Sequence, residues 1–201
     1  MSEFAAVVLA GGAARRMGGA AKPAVRVGGT PLLTRVLEAA ERARPRIVVG
    51  PLELTPLLRS GVSLTIEETP GTGPVAGLAA GVHLLTDAVQ DVAVLGSDLP
   101  FVTADVLDRL RAELSGSVEV AVLVDNSGRP QWMCSVWHRK ALVQRLERLG
   151  HLAGRSMREL VDGAQVQYLT ISVPAGPPPW FDCDTDEDVR QAEEWADGNT
   201  G

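Results

Sequence analysis

Residues 9–22 read Leu9-Ala10-Gly11-Gly12-Ala13-Ala14-Arg15-Arg16-Met17-Gly18-Gly19-Ala20-Ala21-Lys22, directly after the apolar run Phe4–Leu9. A short, continuously apolar run is what a parallel strand buried on both faces requires. The small residues that follow let the backbone approach a ligand and offer its N–H groups to phosphate oxygens. Arg16 and Lys22 add mobile positive charge suited to a polyphosphate. Open α/β sheets bind ligands beyond the carboxyl ends of their strands, which is where this loop falls. A surface loop with incidental arginines is the plainer reading, but three cations among such small residues at that place favour phosphate binding. Two familiar phosphate loops fail. There is no GxxxxGK followed by Ser or Thr, and Gly11-Gly12 does not fit GxGxxG; nor does an acidic residue end the second strand, which weakens a dinucleotide-dependent dehydrogenase.

Outward from this loop, short β-branched runs alternate with helical patterns, which predicts an α/β fold. The expected architecture is a single domain over residues 1–201, a doubly wound and mostly parallel sheet with helices on both faces. Strands are expected at Phe4–Leu9, Ile47–Val49, Leu64–Ile66, Val92–Leu95, Val118–Val124 and Val166–Ile171. Trp132–Trp137 is expected to pair antiparallel at one side of the sheet. Thr30 and Pro31 read as the N-cap and first position of a helix to about Ala43. Further helices are expected over Pro74–Leu85, from a Thr103 cap to Leu114, near Lys140–Leu149, over Arg155–Val161 and after a Thr185 cap. The acidic first turn of the last, Asp186-Glu187-Asp188, complements the helix dipole. Val173–Pro179 is too short for an interdomain linker.

The chain has 201 residues, 45% hydrophobic and 22% charged, with a net charge of −6. That composition is ordinary for a soluble globular protein. The acidic balance argues against a nucleic-acid partner, since phosphate-backbone contacts need clustered Lys and Arg. Two cysteines make no disulfide framework, and no CxxC or HExxH spacing suggests zinc. The apolar start lacks the basic stretch and length of a signal peptide or membrane span, so a cytoplasmic protein with no membrane partner is expected.

Two acidic segments stand out. Gly96-Ser97-Asp98-Leu99-Pro100 ends the run Val92–Leu95, placing Asp98 at the ligand-binding edge. Asp98 suits a Mg²⁺ ligand, because that ion takes one or two carboxylates plus substrate phosphates; a turn-initiating aspartate fits the same residues. In Asp182-Cys183-Asp184-Thr185, an extended backbone puts Asp182 and Asp184 on one face and Cys183 on the other, toward the core. No Ser/His/Asp or Cys/His set persuades, and His83 and His138 read as packing or surface residues.

The glycine-rich loop resembles the signature of small nucleotidyltransferases and, within them, the molybdenum cofactor guanylyltransferase family. That family's pattern runs LAGG, RMGG, then Lys, here Leu9–Gly12, Arg16–Gly19 and Lys22. Related cytidylyltransferases more often show LAAG, so the glycine pair favours guanylyl transfer. Gly73-Pro74-Val75-Ala76-Gly77-Leu78 resembles the family's GPLAGL, which helps bind base and ribose. The same residues also fit a plain helix start with close packing through Gly77 and Gly81. The D-x-D-T segment before the final helix matches as well. The resemblance runs from Val7 to about Trp195. It departs at Gly50-Pro51, where many members carry an asparagine near the base, at Pro23, and at Glu68, which stands in place of a shorter acid.

The resemblance implies a magnesium-dependent enzyme that moves GMP from GTP to a molybdopterin-type phosphorylated acceptor, with transient contacts to other molybdenum cofactor proteins. It implies Arg16, Lys22 and Asp98 as catalytic residues and Asp98 and Asp184 as metal ligands. Nucleotide contacts fall to Leu9, Ala10, Gly11, Gly12, Lys22, Glu68, Gly73, Pro74, Gly77 and Asp98. Gly128–Gln131 and Gly154–Arg158 look like the acceptor side, with Arg155, Arg158 and Asp182 as candidates; a solvated helix face explains the two arginines equally well. The same reaction with CTP or another small phosphate, or a nucleotide-binding regulator without catalysis, are the competing readings.

Overall fold

The computed structural model describes residues 4–11, 21–67, 69, 71–173 and 176–198. β1 (Phe4–Leu9) is followed, from Lys22, by a 3-10 turn (Lys22–Ala24) and a small hairpin of β2 (Arg26–Val27) and β3 (Thr30–Pro31). Then come α1 (Leu32–Ala39), β4 (Arg46–Val49), a 3-10 segment (Leu52–Leu57), β5 (Val62–Thr65), α2 (Pro74–Val82) and β6 (Asp91–Gly96). The second half holds α3 (Ala104–Ala112), β7 (Val120–Val124), β8 (Pro130–His138), α4 (Arg139–Leu149), α5 (Met157–Val161), β9 (Val166–Thr170) and α6 (Asp186–Gly198).

Seven strands form one sheet in the order β5-β4-β1-β6-β8-β7-β9. β1 pairs in parallel with β4 and β6, β4 with β5, and β7 with β9, while β8 runs antiparallel to both neighbours. β8 therefore lies inside the sheet, not at one side as its sequence suggested. Its residues serve both cores, Cys134 and Val136 one and Trp137 the other, while its backbone pairs with β6 on one side and β7 on the other. The Trp137 indole N–H donates to Ser135 Oγ at 3.1 Å, satisfying its polar edge within the core.

Alternate residues of β1 serve two cores. Phe4, Ala6 and Val8 join α1 and α3 on one face; Ala5, Val7 and Leu9 join α2, α4 and α5 on the other. The chain runs outward from β1 to β4 and β5, then returns through α2 to β6 on the other side of β1. The reversal opens a crevice at the carboxyl ends of β1 and β6, a usual place for a ligand.

Two helix starts depart from expectation. Thr30 does not cap α1, because Gly28 and Gly29, at φ 57° and 72°, make the left-handed turn that folds Thr30-Pro31 back as a strand onto Arg26-Val27. α1 begins at Leu32 and ends at Ala39, short of Ala43. Arg155–Val161 begins instead at Met157, behind a Ser156–Glu159 capping box. Thr103 caps α3 by accepting from the Val106 N–H. Thr185 Oγ1 accepts from the Asp188 N–H, and the Asp188 carboxylate accepts from the Thr185 N–H in return.

α2 rests on β1 and β4 through two glycines that differ in tightness. A Cβ at Gly81 would lie 2.6 Å from Val7 Cγ1 and 3.0 Å from Val49 Cγ2, whereas at Gly77 it would meet nothing closer than 3.6 Å. Gly81→Ala overpacks this face and should destabilise by about 1–3 kcal/mol, outweighing the helix propensity gained. Gly77→Ala should be neutral or stabilising by up to about 1 kcal/mol. Urea unfolding of both variants checks the contrast, and equal stabilities would refute it.

Candidate active site

β1, β4 and β6 end in register, with Leu9 opposite both Val49 and Gly96. Above these ends lies a cavity of about 630 Å³, within the range of small-molecule sites. Leu9, Ala10, Gly11 and Lys22 line it from the first crossover, Gly73, Pro74 and Gly77 from the start of α2, and Asp98 from the end of β6. Glycines make room at two places. A Cβ on Gly50 would sit 3.0 Å from the Ala10 carbonyl oxygen, so the β4 end can close against the loop backbone. A Cβ on Gly96 would fall 2.5 Å from Asp98 Oδ1, so the bare glycine leaves that carboxylate room to fold back toward its own strand.

A second cavity, of about 990 Å³, adjoins the first. Arg129, Pro130 and Gln131 line it from β8 and the turn before it, Ser156, Met157 and Arg158 from the start of α5, and Asp182 from the segment before α6. Pro74, Asp98, Met133 and Asp184 border both cavities. The two acids that sequence reading paired across the chain thus stand where the cavities meet.

Lys22 joins them. Its ammonium donates to Asp98 Oδ2 at 2.7 Å and to Asp184 Oδ1, with the lysine side chain only 11% exposed. Burial, the largest single influence, works against its charge, yet the combined pull of Asp98 and Asp184 prevails and raises its pKa above the ordinary lysine value. Asp182 lies close by: burial, then repulsion from Asp184 and Asp98, raises its carboxyl above the usual range. Three carboxylates thus crowd around one ammonium. Magnesium takes hard oxygen ligands, commonly one or two carboxylates with phosphate or water. Asp98 and Asp184, whose oxygens already converge on a cation, fit that ion, although no cluster of three or more His, Cys, Asp or Glu arranged to hold a metal occurs among the described residues.

Among the other expected site residues, Gly12, Arg16 and Glu68 lie outside the described residues. Arg155 is not part of either cavity lining. Its guanidinium donates to Glu159 at 2.7 Å and to the His151 carbonyl, while Arg158, one turn on, does line the second cavity. Sequence reading missed Glu67, whose carboxylate takes the Gly71 N–H at 2.6 Å and the Thr72 hydroxyl at 3.0 Å and so shapes the wall of the first cavity. It also missed the apolar floor from Val49, Leu54 and Ile66. Glu67 stands in the Ile66-Glu67-Glu68-Thr69 stretch, and nothing local in the sequence announces the turn closed by Thr72. Cys183 is buried with Val27, Leu32 and Ala192, as its alternation with Asp182 and Asp184 implied. Trp137 is core, Trp132 lines the second cavity, Trp180 packs against the core beneath α1 and α3, and Trp195, on α6, packs against Phe101 and Phe181. His138 pairs with Asp91 at 3.1 Å, at the far end of β6 from Asp98.

This fold is shared by solved nucleotidyltransferases. Molybdopterin-guanine dinucleotide biosynthesis protein A from Archaeoglobus fulgidus superposes with a TM-score of 0.70 at 22% identity, covering 97% of this chain and 100% of that one. 4-Diphosphocytidyl-2C-methyl-D-erythritol synthase from Anaerococcus prevotii gives 0.73 at 13% identity, covering 98% and 97%. In sequence, a molybdenum cofactor guanylyltransferase from Rhizobium meliloti strain 1021 is 31% identical over 203 residues, covering 94% of this chain and 90% of the relative. The profile of the MobA-like NTP transferase domain matches residues 6–168. The chain is a nucleotidyltransferase. It belongs to the MobA-like NTP transferase family. The matched stretch includes Lys22 and Asp98 and stops before Asp182 and Asp184.

Proposed function

We propose that this chain, working as one domain, transfers GMP from GTP to the phosphate of molybdenum-loaded molybdopterin. The observation that carries the reading is the meeting of two cavities at Asp98 and Asp184, with Lys22 between the two carboxylates. GTP occupies the smaller cavity, its phosphates against the Leu9–Gly11 backbone and Lys22, its ribose and base toward Gly73, Pro74 and Gly77. The roles of Gly12, Arg16 and Glu68 in binding it rest on the family resemblance. The acceptor occupies the larger cavity beside Asp182, with Arg158 better placed than Arg155 to meet its phosphate.

In the reaction a terminal oxygen of the acceptor phosphate forms a bond to the α-phosphorus of GTP. The bond from that phosphorus to the bridging oxygen of the β-phosphate breaks, and pyrophosphate leaves with the electron pair. Holding both reactants in line supplies much of the acceleration, and donors aimed at the phosphate oxygens supply the rest. Lys22 stays protonated at neutral pH and offsets charge on the polyphosphate. No general base is needed, because a phosphate monoester is already largely dianionic at pH 7. Magnesium, held by Asp98 and Asp184, supplies Lewis-acid neutralisation of phosphate charge when bound.

The names of the relatives and the Gly11-Gly12 pair support GTP over CTP. No described helix is long and apolar enough to cross a membrane. A cytoplasmic location and transient contacts with other molybdenum cofactor proteins rest on the family resemblance alone. Incubation with magnesium, molybdenum-loaded molybdopterin and each of GTP, CTP, ATP and UTP in turn tests the proposal. GTP should give the dinucleotide and pyrophosphate at least about 10-fold faster than the others, a margin of about 1.4 kcal/mol in transition-state binding. Equal or faster turnover with CTP would overturn the choice of base, and no pyrophosphate with any of them would overturn the reaction.

A further inference from the structure

A small third apolar cluster, apart from the two cores of the sheet, gathers the three chain segments that carry Lys22, Asp98 and Asp184. Val27 and Leu32 follow Lys22 through the hairpin, Phe101 follows Asp98 by three residues, and Phe181 precedes Asp184 by three. What covers all of them is α6, through Ala192 and Ala196 on one helical face and Trp195 beside them. The indole of Trp195 meets Phe101 edge-on, at 5.8 Å and 76°, and Phe181 at 4.9 Å and 82°. The two phenyl rings lie 6.2 Å apart. Between the same segments runs one backbone hydrogen bond, from the Cys183 N–H to the Asp98 carbonyl at 3.1 Å. Two residues before Trp195, Glu193 accepts the Gly28 N–H at 2.9 Å, fastening the hairpin that begins beside Lys22.

We propose that Trp195 is a positioning residue for the metal–triphosphate site: wedged between Phe101 and Phe181, it fixes the spacing of Asp98 and Asp184. This rests on the assignment of those two carboxylates to magnesium. The need for such a clamp follows from charge. Asp98 and Asp184 both reach the Lys22 ammonium, so two like charges carried on different segments are held close together. Asp98 lies two residues past β6 of the central sheet, but Asp184 stands on an irregular segment outside the family-matched residues, with no strand leading into it. The Asp184 N–H donates to the Asp188 carboxylate at 3.0 Å, which ties Asp184 to the first turn of α6. The two edge-to-face contacts of Trp195 then fix α6, and Asp184 with it, against the segment of Asp98, because such pairs have a directional preference that aliphatic contacts lack.

The test is Mn²⁺ binding to the protein–GTP complex without acceptor, read by electron paramagnetic resonance well below the melting temperature. Trp195→Leu keeps apolar bulk but removes the ring, and should weaken Mn²⁺ affinity at least about 10-fold, with kcat falling more than the acceptor KM changes. Trp195→Phe, which restores an edge, should return affinity to within about threefold of wild type. Unchanged Mn²⁺ affinity in Trp195→Leu, with Asp98→Asn losing it, would overturn the positioning role. Unchanged affinity in Asp98→Asn itself would instead overturn the metal assignment beneath it. If Trp195→Leu does not fold, Phe101→Leu reads the same spacing from the other side, and wild-type affinity there also overturns the proposal.

Discussion

Asp98→Asn should lower guanylyl transfer by at least about 10³-fold, or about 4 kcal/mol of transition-state stabilisation, while the protein remains folded. The size follows from position. Asp98, two residues past β6, borders both cavities, so under the proposed reading it meets both reactants at once. Asparagine has nearly the same shape and fits the space that Gly96 leaves, so geometry survives and charge alone is lost. A neutral amide holds a divalent cation far less tightly than a carboxylate, and the phosphates then keep charge that the site was arranged to offset. The folded state should not suffer, since Lys22 retains Asp184 and one of three mutually repelling carboxylates is removed. Pyrophosphate release measured alongside thermal unfolding separates these effects. A folded variant turning over near the wild-type rate would remove Asp98 from the chemistry, and a variant that fails to fold would show its role to be structural.

The sequence was most legible where local chemistry decides structure. Gly11, Lys22 and Asp98 lie far apart in the chain, yet each could be placed because each follows an apolar strand whose carboxyl end must face the crevice. Cys183 could be sent to the core by strand alternation alone. What stayed hidden depends on partners distant in sequence. β8 was recognisable as a strand, but its place between β6 and β7 depends on which edges it pairs with. Its unbroken buried run Cys134–Trp137 was the available signal, since an edge strand seldom hides four successive residues. Gly28-Gly29 announced a hairpin turn that outweighed the capping reading of Thr30. Arg155 and Glu159 are four residues apart on what becomes a helix start, a spacing that favours an ion pair over a free phosphate contact. Phe101, Phe181 and Trp195 gave no motif at all, because nothing local says that three rings from three segments will meet.

Lys22→Ala should raise the GTP Kd about 10- to 100-fold and slow turnover by about 10²-fold, the loss expected when one charged contact to a developing phosphate charge disappears. Arginine should not restore function. Its planar fork cannot sit as a point charge between two carboxylates in a site that leaves the lysine side chain only 11% exposed. The metal-free protein should also lose about 1–2 kcal/mol. Removing one partner of a buried pair costs about 3–5 kcal/mol, but Asp184 is 66% exposed and water screens much of its share. The pH dependence fixes the sign. A lysine whose folded pKa is raised stabilises fully below its unfolded value, about 10.4, and loses that contribution only as pH climbs through the folded value. The stability gap between wild type and Lys22→Ala should therefore be constant from about pH 6 to 9 and shrink only above about pH 10.4. Millimolar magnesium should narrow it at any pH, because the carboxylates left unopposed then find another cation. Urea unfolding across that range, with nucleotide titration at pH 7.5, makes the check. A variant that binds GTP as tightly as wild type and shows no gap would mean that Lys22 holds neither the phosphates nor the acids it touches.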